Sequence, residues 1–192
     1  NMHSTMMFFT EQGRLYWTKV YELPEGNRQS KGRALQNMIN IQKGDKVCAF
    51  IHVKNLSDME YVQNHYLIFA TKNGLMKKTT LESYSRPRAN GIIALGLRED
   101  DRLIRVTLTD GNSQMLVASY NGKVVRFPED TVRPMGRTAT GVRAIKLDED
   151  GQDRVIGMVC VGEGTKESVL VISEKGFGKR TDLDDENGEP IY

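Results

Sequence analysis

A hairpin-like block recurs four times along this chain, and internal repetition constrains a fold more than any single motif does. Met7-Phe-Phe-Thr-Glu-Gln-Gly13, Leu67-Ile-Phe-Ala-Thr-Lys-Asn-Gly74, Leu116-Val-Ala-Ser-Tyr-Asn-Gly122 and Leu170-Val-Ile-Ser-Glu-Lys-Gly176 each run from apolar residues into a polar turn that ends on glycine. A second strand follows each turn and becomes basic. Asn73-Gly74 and Asn121-Gly122 are Asn-Gly pairs between apolar runs, the strongest short hairpin signal, which predicts positive φ at both central residues. The four glycines lie 61, 48 and 54 residues apart.

A second landmark follows the first three hairpins. Arg28-Gln-Ser-Lys-Gly32, Arg88-Ala-Asn-Gly91 and Arg137-Thr-Ala-Thr-Gly141 place arginine three or four residues before glycine. An apolar-alternating stretch comes next (Ala34–Ile39, Ile92–Leu95, Val142–Leu147), then an acidic turn, then a further strand beginning near Lys46, Arg102 or Arg154. Each unit therefore reads as four short strands, and no useful length shows helical apolar spacing. The polar insert Asn55–Asn64, expected as a surface loop, accounts for the wide first gap. Four-stranded units at this period predict an all-β, propeller-like array of blades, partial at about three and a half repeats. The chain reads as one such array over residues 1–192, with repeats near 6–54, 65–114, 115–166 and 168–192. The last hairpin either completes the third blade or starts a fourth.

Charge adds a direction. The net +2 of the 192 residues divides into +9 over residues 1–147 (22 Lys/Arg against 13 Asp/Glu) and −7 over residues 148–192 (5 against 12). A block that basic suits a polyanionic partner, or an unevenly charged surface with no partner at all. No apolar run approaches the roughly 20 residues of a membrane span. Cys48 and Cys160 are too few for a disulfide framework and fit a reducing compartment.

The longer motifs resemble one family. Phe8-Phe-Thr-x-x-Gly-Arg-x-Tyr-Trp-x-Lys-Val-Tyr-x-Leu-Pro-Glu25 and Arg28-x-x-Lys-Gly-Arg-x-Leu-x-Asn-Met38 are similar to the second blade of the C-terminal domain in the A subunit of bacterial DNA gyrase. Asn121-Gly-Lys-Val-Val-Arg-Phe127 and Val132-Arg-Pro-Met-Gly-Arg137 with Thr140-Gly-Val-Arg143 resemble its fourth blade, and Lys175-Gly-Phe-Gly-Lys-Arg-Thr181 the start of its fifth. The resemblance implies a β-pinwheel, in which neighbouring blades exchange strands. It also implies duplex DNA bound without sequence preference and bent around the perimeter, in support of ATP-dependent negative supercoiling. The same resemblance implies the B subunit of gyrase and a second A subunit within an A2B2 holoenzyme as partners, in the bacterial cytoplasm at the nucleoid. Strand cleavage, ATP and magnesium would belong to other domains, so no cofactor is expected here. The family's first-blade heptapeptide Gln-Arg-Arg-Gly-Gly-Lys-Gly is absent from this sequence; Gln29-Ser-Lys-Gly-Arg33 is a weaker version. The topoisomerase IV counterpart and a propeller-like protein-interaction scaffold are the alternative readings.

Wrapping DNA requires cations repeated along a curved rim, because the duplex presents one phosphate charge per ~1.7 Å. The strands following the hairpins offer Lys19, Lys77, Lys78, Lys123, Arg126, Lys179 and Arg180. The glycine-bearing loops offer Arg28, Lys31, Arg33, Arg86, Arg88, Arg133, Arg137 and Arg143, with glycine letting backbone N–H groups approach phosphate. A lone exposed cation on a strand also serves solubility and edge protection, so no single residue identifies a contact. Gly176-Phe-Gly-Lys-Arg-Thr181 lacks the upstream glycine of a phosphate-binding loop, where Ser173 stands. The acidic stretches Asp148–Gly151 and Asp182–Gly188 lack the ligand spacing of a calcium loop, and the histidines and cysteines lack that of a zinc site. No catalytic constellation is apparent.

Overall fold

The computed structural model describes residues 1–149, 151–162, 167–185 and 187–192. Asp150 and Glu186 of the two acidic stretches, and residues 163–166 closing the third repeat, lie outside the described residues. Strands dominate the regular structure, with short 3-10 turns and one α-helical turn between them. The first unit contributes β1 (Thr5–Thr10), β2 (Arg14–Lys19) and β3 (Val47–Val53); the second contributes β4 (Tyr66–Thr71), β5 (Leu75–Thr80), β6 (Ile92–Ile93) and β7 (Leu103–Thr109). The third contributes β8 (Ser113–Ser119), β9 (Val124–Pro128), β10 (Val142–Arg143) and β11 (Val155–Gly162), and the last hairpin is β12 (Ser168–Ile172) with β13 (Gly178–Asp182).

All four hairpins close in the same way. The amide of the turn glycine donates to the carbonyl three residues earlier: Gly13 to Thr10, Gly74 to Thr71, Gly122 to Ser119 and Gly176 to Ser173, at 2.9–3.2 Å. Each glycine has φ between +74° and +85°. The Asn-Gly expectation is corrected here, because Asp100 is the one non-glycine residue with positive φ among the described residues. Asn73 and Asn121 therefore keep negative φ, and only the glycine takes the left-handed step that closes these longer turns. The acidic turns have a structural use. Asp45, Asp101 and Asp153 accept from the amides of Gln12, Asn73 and Asn121, just ahead of each hairpin glycine, and from the residue that follows the acid.

Strands are exchanged between units, as the pinwheel resemblance implies. The sheet orders are β3-β1-β2-β6 and β10-β5-β4-β7, so β6 from the second unit finishes the first sheet and β10 from the third finishes the second. The third sheet has three strands, β11-β8-β9, and the last hairpin pairs only with itself. That hairpin packs Val169 and Leu183 against Leu116 and Val161 of the third sheet without joining its ladder, and so begins its own sheet. Ala34–Ile39, expected as an apolar-alternating strand of the first unit, forms a 3-10 turn over Leu35–Asn37 instead. Its counterparts β6 and β10 are strands because they pair with β2 and β5 of the unit before.

The core is laminated between successive sheets. Met7, Phe9 and Leu15 meet Leu67 and Phe69, while Ile68, Ala70 and Met76 meet Met115, Val117 and Met158. Alternate residues of β4 thus fill two different cores, which is why the strand is buried nearly throughout. The polar insert forms no loose loop: Asp58 caps a single α-helical turn, α1 (Met59–Gln63), and Leu56 and Val62 enter the core between the first two sheets. Leu56, Met59, Tyr61 and Val62 are scattered singly or in one pair among the polar residues of this insert, so no strand-like run marks its core contribution in the sequence.

Candidate nucleic-acid interface

The inner strands β3, β7 and β11 lie side by side, leaving the exchanged strands β6 and β10 at the opposite ends of their sheets. The arginine-glycine loops lead directly into β6 and β10, so they occupy the same outer corner of successive units. Glycine is required there for packing. A Cβ on Gly91 (φ +66°) would lie 2.6 Å from the Leu15 carbonyl and the Tyr16 ring, and one on Gly141 (φ +102°) would lie 2.4 Å from the Met76 carbonyl. These glycines let each loop dock on the hairpin of the preceding unit, a different reason from the approach of phosphate to backbone. Gly32, in the loop without such a hairpin, is left-handed at +71° with nothing within 4 Å.

The expected contact residues separate into three groups. Arg28, Lys31, Arg33, Arg86, Arg88, Arg133, Arg143, Lys179 and Arg180 are exposed, as is Lys123, which pairs with Asp148. Lys19 and Arg137 are half-buried. Lys19 Nζ donates to Thr5 Oγ1 at 3.1 Å and lines, with Trp17 and Arg88, a cleft of about 230 Å³ between the first two units. Arg137 keeps its Nε shielded and unbonded.

Lys77, Lys78 and Arg126 are corrected: they tether blades to each other. Lys77 is 0% and Lys78 5% exposed. Lys78 Nζ pairs with the buried Glu129 at 2.9 Å and sits 4.3 Å from the Tyr66 ring centroid. Arg126 Nη1 donates to Leu183 O at 2.9 Å and Asp184 Oδ1 at 2.6 Å. Counting from the hairpin glycine, Trp17, Lys78 and Arg126 hold the same position, and Trp17 Nε1 likewise donates to Tyr84 O of the next unit at 3.1 Å. Each reaches the short segment just after the next unit's hairpin. A signal for this exists in the sequence, since that position is tryptophan in the first unit and Lys77 aligns with Tyr16.

Arg14 lies outside the cations that the sequence singles out. It pairs with Ile93 across β2–β6, while the matching rung of β5–β10 is Leu75 with Arg143, so each junction holds one arginine and one aliphatic residue in reversed order. Arg14 also donates to the Asn90 carbonyl at 3.1 Å, inside the second unit's loop. Among the described residues no three His, Cys, Asp or Glu side chains are grouped to hold a metal, and no helix is long and apolar enough to cross a membrane.

Comparison with known proteins gives a consistent picture. A family model described as the DNA gyrase C-terminal domain, beta-propeller, matches residues 4–54, 65–110, 114–161 and 167–185. The A subunit of DNA gyrase from Salmonella typhimurium is 44% identical over 186 residues, covering 96% of this chain, and that from Staphylococcus aureus is 43% identical over 183 residues. The chain spans about a fifth of the length of these relatives, 20% in each case. A crystal structure of the C-terminal domain of DNA topoisomerase IV superposes with a TM-score of 0.82 at 28% identity, over 95% of this chain and 55% of that one. A DNA gyrase A C-terminal domain structure superposes with a TM-score of 0.74 at 23% identity, over 94% of this chain and 55% of that one, and shows the shared fold.

Proposed function

The chain belongs to the DNA gyrase C-terminal domain family, and from that premise we propose that it binds duplex DNA without sequence preference and bends it along the outer edge of successive blades. It would do so as a non-catalytic part of the gyrase A subunit, working with the B subunit of that enzyme and a second A subunit in the bacterial cytoplasm, while other domains handle ATP and magnesium. The observation that carries the reading is the repeated corner: arginine-bearing loops enter the outermost strand of consecutive sheets, held there by the same glycine-dependent docking. Guanidinium groups so placed contact phosphates and position a duplex without reading bases. Bending 20–30 bp costs of order 1–6 kcal/mol, so several such contacts must act together.

The residues proposed to touch DNA are the exposed loop cations Arg28, Lys31, Arg33, Arg86, Arg88, Arg133 and Arg143, with Lys179 and Arg180 on the last hairpin. Half-buried Lys19 and Arg137, and Lys123 beside Asp148, would add to the field. A topoisomerase IV subunit is the second reading, favoured by the 0.82 superposition; the 43–44% identity to the A subunit of gyrase favours the first. The test is binding of random-sequence linear duplex as salt rises from about 50 to about 200 mM, where six to ten phosphate contacts predict a loss of roughly 10³–10⁵ in affinity. The triple variant Arg86→Glu, Arg88→Glu, Arg143→Glu should weaken every duplex alike, by about 10-fold or more. A flat salt response, or loss confined to one sequence, overturns the proposal.

A further inference from the structure

One ammonium group joins the two exchange junctions. Lys77 Nζ donates to Ala94 O at 2.7 Å and to Arg137 O. Ala94 belongs to the first junction, since its amide donates to Gly13 O at 2.8 Å immediately after β6. Arg137 belongs to the second, in the loop that leads into β10. The segment after β6 also touches the second loop directly: Gly96 N donates to Ala139 O at 3.4 Å, and a Cβ at Gly96 would fall 2.4 Å from Thr138 O. Lys77 meets this contact from beneath. It is fully buried, sits 4.9 Å from the Phe69 ring centroid, and has no carboxylate paired with it among the described residues. Tyr84 OH donates to the same Ala94 carbonyl at 2.8 Å.

A buried cation with no counter-charge is costly, and an apolar residue would fill the space more cheaply. The aligned position is Tyr16 in the first unit and Val125 in the third, so the strand itself does not demand lysine. What lysine supplies here that tyrosine or valine cannot is several N–H donors on one atom, enough to hold two carbonyls from two different junctions.

We propose that Lys77 is a positioning residue that rivets the loop bearing Arg133 and Arg137 to the segment following the loop bearing Arg86 and Arg88, so that the two arginine loops move as one rigid edge. The rivet rests on geometry alone. Its consequence for DNA rests on the binding reading above: a duplex long enough to touch both loops gains from their fixed spacing, whereas one touching a single loop does not.

The experiment compares the chain with its Lys77→Met variant, which keeps the stem's packing on Phe69 and removes the donors. Amide hydrogen exchange without DNA is the first readout. The amides of residues 94–96 and of 135, 139 and 144 should all exchange at least about 10-fold faster, together, while strand β1–β2 amides keep their rates. Tyr84→Phe should speed residues 94–96 only. Acceleration of one set alone in Lys77→Met, or of neither, overturns the rivet.

The second readout is binding of a duplex of about one helical turn, roughly 10 bp, against one of about four turns. Lys77→Met should lose affinity for the long duplex several-fold more than for the short one, and equal losses overturn the positioning role. If the unaltered chain binds neither duplex, the DNA reading falls while the exchange result still decides the rivet. Should Lys77→Met fail to fold, Gly96→Ala carries the same two readouts, because its Cβ pushes Thr138 O away without touching the lysine. It should reproduce both the accelerated exchange at 135–144 and the length-dependent loss; wild-type behaviour in both overturns the coupling.

Discussion

The first two hairpins and the last two carry the same motif and live in different surroundings. A Cβ on Gly13 or Gly74 would meet a carbonyl of the next unit, Leu95 O at 2.9 Å or Ile145 O at 3.0 Å, whereas Gly122 and Gly176 have nothing within 4 Å. Strand β4 is buried nearly throughout, and β12 exposes Leu170, Val171 and Ile172 at 61%, 54% and 64%. Position by position, Lys77 and Lys78 are buried while their counterparts Lys179 and Arg180 are open to solvent. The hairpin sequence therefore does not determine burial. Burial comes from the segment a following unit lays across the hairpin and from the sheet stacked on each face, so a residue of one type becomes a tether in one blade and a surface cation in another.

The largest expected contrast concerns the cores on either side of β4. Phe69 is fully buried and makes edge-to-face contact with Phe9 at 5.6 Å across the first interface. Phe69→Ala should cost roughly 3–5 kcal/mol in denaturant unfolding. Val171→Ala, at the matching position of the last hairpin, should stay within about 0.5 kcal/mol. Similar costs at both sites would show that the last hairpin is covered in solution as fully as the second.

A smaller contrast separates the glycines. Gly141→Ala combines left-handed strain, about 1–2 kcal/mol, with a collision against the Met76 carbonyl that adds a further ~1–3 kcal/mol. Gly122→Ala carries the strain alone, since its Cβ meets nothing. Thermal unfolding of the two variants should therefore differ by about 1–3 kcal/mol, with Gly141→Ala the weaker protein. Equal losses would mean that the third hairpin, too, is closed over by another segment.

Much of this architecture is legible in the sequence because the repeat fixes where turns must fall. The hairpin glycines, the arginine-glycine loops and the absence of long helices follow from spacing. The pairing partner of each loop strand does not, since Ile92–Ile93 and Val142–Arg143 are short apolar pairs that would suit any open edge; the family resemblance supplies the exchange. Ala34–Ile39 shows the same limit from the other side: it has the alternation of a strand and forms none, because a strand needs a neighbour. The sequence overstates the candidate site for one physical reason. Charge on a strand suggests exposure, whereas Lys77, Lys78 and Arg126 are satisfied by carbonyls and carboxylates of the next blade. Aligning Lys77 with Tyr16 and Lys78 with Trp17 marks both as inward-facing positions.

Per pH unit the smallest contrast is electrostatic, and it separates Lys77 from its exposed counterpart Lys179. Burial, with the Arg137 guanidinium close by, lowers the Lys77 ammonium from its ordinary 10.5 to about 7. The other group that faces it, the Tyr84 hydroxyl, is pushed upward by its own burial and stays protonated. Between about pH 7 and 10.5 the unfolded chain holds a proton on Lys77 that the folded chain has released, so unfolding free energy rises with pH across this window, by at most about 1.4 kcal/mol per unit. Below pH 7 both states are protonated and the slope vanishes. Neutral Lys77 still has two N–H donors for Ala94 O and Arg137 O, so the junction survives the proton's loss. Cys48, raised by burial to about 12, acts oppositely above pH 9, because the unfolded thiol ionises there first. The informative range is therefore pH 7 to 9. Stability there should climb in the unaltered chain and in Lys179→Met alike, and lose most of its slope in Lys77→Met, as followed by urea unfolding. A slope that survives in Lys77→Met would place the titrating group elsewhere and make the buried lysine an ordinary charged one.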